Sequence, residues 1–150
     1  MATTSPTDLT QRPPRSARAR LGGYVILPRM IDKCRAILAG TGGEFHYNCP
    51  LDQHFISFVG IDPEAFKAEV AKGKGDGELL AWIEQNARFK RAPYEIATWV
   101  AYQESRIPTD RESRAFYDKW QGEIAPTRPD IGTWFDLLDL DDFVSFGGKA

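Results

Sequence analysis

Apolar residues recur at intervals of three and four along most of the chain, the spacing that lines one face of a helix. Leu27, Met30, Ile31, Cys34, Ile37 and Leu38 draw the first such stripe. Pro28 suits its first turn and Gly40 follows its last periodic residue. Arg29, Asp32, Lys33 and Arg35 fall off that stripe and read as a solvated rim. Pro50 starts a second helix, with Cys49 or Asn48 as its N-cap and Leu51, Phe55, Ile56, Phe58 and Val59 running up to Gly60. Asp62-Pro63 opens a third, which turns Phe66 and Val70 inward. After the charged turn KGKGDGE, Leu79, Leu80, Trp82 and Ile83 predict a short helix over 78–86. Pro93 starts a longer one with Ile96, Trp99 and Val100 as its stripe. Thr109-Asp110-Arg111-Glu112 has the spacing of a capping box, with Thr109 as N-cap and Phe116, Tyr117 and Trp120 buried beyond it. Trp82, Trp99 and Trp120 read as core. TWFDLLDL is a last short helix, and Glu44 to Tyr47 is the only candidate for a short extended segment.

These elements predict an all-α fold of six or seven short helices in one domain over residues 24–150. Residues 1–23, with PPRSARAR, predict an extended Arg/Pro-rich N-terminal arm. A chain of 150 residues can bury roughly two thirds of the surface its unfolded form exposes, so it needs no staples.

Charge narrows the partners. A net charge of −2 argues against a dedicated nucleic-acid binder, which needs a basic excess to neutralise phosphate. The sign is uneven: residues 1–35 carry seven Arg and Lys against Asp8 and Asp32, while residues 130–150 carry five aspartates against Lys149. One reading is therefore a regulatory or adaptor module that holds a protein partner with its basic arm or acidic tail. No apolar run approaches the ~18 residues of a membrane span. Two cysteines without an export signal predict reduced thiols in a cytoplasm. The GxxxxGK[ST] phosphate loop is absent. Asp136, Asp139, Asp141 and Asp142 lack the spacing of an EF-hand.

The candidate chemistry lies in residues 34–54, which hold both cysteines and both histidines. A thiol at Cys49, beside a helix start, sits where free amides and the positive dipole end favour sulfur anions. As an enzyme, the chain would use Cys49 as nucleophile, His46 as base and Asp52 beside them. Arg29 would clamp an anion, and Asp32, Tyr47 and His54 would complete a small-molecule pocket. Cys34, His46, Cys49 and His54 also form a donor set zinc would accept, yet C-x11-H-x2-C-x4-H lacks the short knuckle that marks such sites. No metal or cofactor is assigned. In the plainest alternative Cys34 is a small buried hydrophobe and the histidines only complete a helix start. The residues leave these readings open.

LGGYVILPRMIDKCRA (21–36), GEFHYNCPLD (43–52) and FVGIDPEAF (58–66) resemble a mainly bacterial family, the domain of unknown function 5069. The resemblance begins at DLTQRPPRS (8–16). It implies a small, soluble, mainly helical bacterial protein and carries no catalytic residues with it.

Overall fold

The computed structural model describes residues 7–150, so the first six residues of the expected arm lie outside it. The described residues form seven helices and no sheet: α1 (Leu27–Leu38), α2 (Pro50–Val59), α3 (Pro63–Ala71), α4 (Asp76–Asn86), α5 (Pro93–Ser105), α6 (Arg111–Ile124) and α7 (Trp134–Ser145). The fold is all-α. None of these helices is long and apolar enough to cross a membrane. The chain divides into two units, Met1–Ala97 and Thr98–Ala150.

In the first unit α1 packs against α2 and α3, and α3 also against α4. Leu27, Met30, Ile31 and Cys34 are fully buried, as the stripe requires. The rim is different. Arg29 and Lys33, expected in solvent, are each only 3% exposed, while Leu38 at the end of the stripe is 42% exposed. Eight of the twelve residues of α1 are buried, so the helix is walled on more than one side and takes polar groups inward. A single apolar stripe cannot announce a second wall.

Local chemistry sets the helix ends. Pro50 and Pro63 occupy first turns, where a missing N–H removes a donor that would have no partner. Asp62 caps α3 by accepting the Ala65 amide at 2.8 Å. Gly60 ends α2 in the left-handed region at φ 71°, and a Cβ there would stand 2.8 Å from that of Arg88. Ile26, just before α1, also has positive φ, 72°, which is rare for a β-branched residue. Full burial of its side chain and the bond from its amide to Ala17 O at 2.9 Å hold it there. The segment Glu44 to Tyr47 is loop, not strand; the one bridge, between Leu21 and Tyr24, closes over Gly22 and Gly23, both at positive φ, as a two-residue turn of this kind demands.

Residues 7–23 are tied to the first unit. Leu9 and Ala17 are buried, and the Leu9 amide donates to Thr41 O at 2.9 Å. Arg15 forks onto Asp32 through Nε and Nη2, at 3.0 and 2.9 Å, and reaches Asp76 through Nη1 at 2.7 Å. This guanidinium holds the Asp76 carboxyl below the usual carboxylate range, against the opposing effect of burial. A depressed carboxylate stabilises the fold above its unfolded pKa of about 4 and stops doing so as pH falls through its lower folded value. Urea titrations at a series of pH values are therefore expected to show an acid-side loss of stability that is smaller in Arg15→Gln. An identical acid limb in the variant would dissociate Arg15 from the effect.

In the second unit α6 packs on α7. Asp110, not Thr109, is the N-cap of α6, accepting the Ser113 amide at 2.8 Å. Thr133 caps α7 through the Asp136 amide at 3.1 Å. Tyr117 is buried, donates its hydroxyl to Thr133 O at 3.0 Å and meets Trp134 edge-on at 5.3 Å. Phe116, expected in the core, is 59% exposed. The inward side of α6 follows Ser113, Tyr117, Trp120 and Ile124, and Phe116 sits at its margin. Trp82, Trp99 and Trp120 are half-buried, usual for a side chain too large to bury whole.

Candidate functional site

The structure joins Lys33, Cys49 and Asp52. Lys33 projects from the middle of α1. Cys49 is the N-cap of α2, and Asp52 lies in that helix's first turn. Lys33 Nζ donates to Asp52 Oδ1 at 2.8 Å and to Cys49 Sγ at 3.2 Å. The ion pair is sealed, with its side chains 3% and 0% exposed, while the thiol is half-buried. Asp52 Oδ2 accepts the Asn48 amide at 2.9 Å, so both carboxylate oxygens are engaged. Asn48 reaches that amide position through positive φ, 59°, a conformation asparagine tolerates better than most residues. The Gln53 side-chain amide, donating to Asn48 Oδ1, ties the same turn to α2. The Cys49 sulfur caps no amide of the first turn; its partner is the lysine.

Unpaired, either charge would be prohibitive in such a place; together, and with the Asn48 amide as a further donor, they are tolerable. The N-terminal end of α2 adds a favourable field for Asp52. The chemical content is a thiol with an ammonium in hydrogen-bond contact, the ammonium held from behind by a buried carboxylate. Such an ammonium can stabilise negative charge developing on sulfur or pass a proton to a leaving group.

The other residues singled out in the sequence have surroundings of their own. His46 is exposed and hydrogen-bonds nothing among the described residues; the place beside the sulfur given to it as base is held by Lys33. His54 is half-buried on α2, two residues past Asp52 and so on another side of the helix. Tyr47 donates its hydroxyl to Pro63 O at 2.7 Å, and burial pushes its phenol well above the usual range, with nearby negative charge adding to this. Asp32 belongs to Arg15. Arg29 donates to Arg15 O at 3.3 Å and lies 5.5 Å over the Phe45 ring. Cys34 is fully buried, and desolvation pushes its thiol up to about 12. Among the described residues no three of His, Cys, Asp and Glu are grouped to hold a metal ion.

A separate cleft of about 230 Å³ is lined by Arg35, Leu38, Val70 and Lys74, among others. Its cations are already paired, Arg35 with Asp76 at 3.0 Å and Lys74 with Glu69 at 2.6 Å, which weakens it as an anion site.

Lys33 is the residue that sequence reasoning missed, and a signal existed. Asp52, Phe55, Ile56 and Val59 fall at i, i+3, i+4 and i+7, which puts a carboxylate on the buried stripe of α2. Ile26, Met30, Lys33 and Ile37 fall at i, i+4, i+7 and i+11 in and before α1, again one side of a helix. An anion and a cation on the inward faces of neighbouring helices call for each other.

Comparison with known proteins adds a family. The family model described as Domain of unknown function (DUF5069) matches residues 11–144. No curated protein matches the sequence.

Proposed function

We propose for this chain, which belongs to the family of the domain of unknown function 5069, a thiol-dependent site for a small electrophilic or anionic molecule. Cys49 is its nucleophile and Lys33 its proton donor and charge partner. One observation carries the reading: a half-buried sulfur stands 3.2 Å from an ammonium that is itself locked to a fully buried carboxylate. Asp52 positions the lysine and touches no ligand. In this reading Arg29, Asp32, Tyr47 and His54 stand outside the site, and His46, exposed nearby in sequence, is the group free to meet what enters. The chain works in a bacterial cytoplasm, where thiols stay reduced.

Iodoacetamide supplies the test. One thiol per chain, Cys49, is expected to alkylate in the native protein. The rate is expected to fall roughly tenfold in Lys33→Met/Asp52→Asn, which removes the ammonium without stranding a charge. Alkylation of Cys34 instead, or an undiminished rate in the double variant, would remove the reading.

The alternative is an adaptor that holds a protein partner with its basic arm or its acidic tail. Against it, Arg15 of the basic arm is already bound to Asp32 and Asp76. Partner binding by the charged ends would weaken steeply with salt, whereas reaction at Cys49 with neutral iodoacetamide would not.

A further inference from the structure

Lys33 and Cys49 bring a nitrogen and a sulfur together at fixed separation. Asp52 grips the lysine at 2.8 Å, and the lysine stem is 3% exposed, so the amine has no room to swing into water. Cys49, by contrast, is only half-buried. Oxidation of a cysteine in reach of solvent normally climbs from thiol through sulfenic to sulfinic acid, unless a neighbouring group intercepts it. Here the neighbour in contact is an amine 3.2 Å away. A direct S–N bond would require the two atoms to close by roughly half that gap, whereas one oxygen placed between them spans most of it.

We propose that Lys33 and Cys49 are a modification site, joined under oxidising conditions by a single bridging oxygen into a reversible N–O–S cross-link. The oxidant is dioxygen. The Lys33 ammonium first passes its extra proton to Asp52 Oδ1, 2.8 Å away. One N–H and one S–H bond then break, N–O and O–S bonds form, and the two hydrogens leave with the second oxygen as water. Nitrogen and sulfur each give up an electron pair, and dioxygen takes both pairs. Two equivalents of a dithiol reverse the step to amine, thiol and water. The bridged nitrogen is no longer an ammonium and the sulfur no longer a thiol, so the modification switches off the site described above. It rests on the reading of Cys49 as a solvent-reachable thiol, and its test reads a mass instead of an alkylation rate.

The full chain, purified under dithiothreitol, is exchanged into air-saturated buffer or kept anaerobic, then analysed by intact mass spectrometry and peptide mapping. The oxygenated chain is expected to gain the mass of one oxygen less two hydrogens, with the peptides of Lys33 and Cys49 linked. The gain should vanish with dithiothreitol and be absent from Cys49→Ser, yet persist in Cys34→Ser. A gain of one or two whole oxygens on Cys49 alone, a disulfide between two chains, or no change in mass would each overturn the cross-link. Alkylation of Cys49 in a reduced chain that never bridges leaves the thiol reading standing. Failure of that alkylation removes both.

Discussion

Lys33→Met is expected to cost about 3–5 kcal/mol of folding stability, a large share of the 5–15 kcal/mol that typically separates folded from unfolded chains. The reason is what it leaves behind. Asp52 is 0% exposed, and without Nζ at 2.8 Å its charge faces only the Asn48 amide. Asp52→Asn alone strands the ammonium instead and should be of similar severity. The double variant Lys33→Met/Asp52→Asn removes both charges and keeps an oxygen for the Asn48 amide. It is expected to recover most of the loss, because a neutral replacement of a buried pair is often close to neutral in energy. Urea unfolding of the four chains gives the coupling directly. A single-variant cost below about 1 kcal/mol is the behaviour of an exposed ion pair and would mean the pair is not sealed.

The second large effect lies one turn further along α2. Phe55 is fully buried and meets Tyr24 edge-on with ring centroids 5.2 Å apart. Truncation to Ala removes the ring and leaves a cavity that well-packed neighbours fill poorly, at about 3–5 kcal/mol. Phe116→Ala is the control. Its side chain is 59% exposed, so truncation should cost under about 1 kcal/mol. Equal losses at the two positions would contradict the placement of Phe116 at the margin of α6.

How much of this was legible depends on whether the determinant is local. Pro50, Pro63 and Pro93 begin α2, α3 and α5, and Asp62 and Gly60 close and cap where their own chemistry dictates. These are decisions taken within one turn, and the sequence displays them. Phe116 and Tyr117 differ by a single position around α6, and the apolar pattern alone does not separate them. The positive φ of Ile26 is imposed by burial that no neighbour in sequence reveals. The cluster of Lys33, Cys49 and Asp52 shows the same limit. Cys49 and Asp52 stand out because they flank a proline at a helix start, and His46, the histidine nearest Cys49 in sequence, is the base that a local reading offers. The cation that meets the sulfur comes from α1, sixteen residues earlier, and reads as a solvated charge because the sequence displays only one wall of that helix.

The cluster of Lys33, Asp52 and Cys49 is the centre of this account, and lysine side-chain NMR with ¹⁵N-labelled protein addresses it most directly. An ammonium sealed between a carboxylate and a sulfur exchanges its protons slowly. One slowly exchanging Nζ resonance is expected, assigned to Lys33 by its loss in Lys33→Met and altered in Asp52→Asn. If every lysine ammonium exchanged as fast as one in open solvent, the buried cluster, and with it the assignment of the site, would be contradicted.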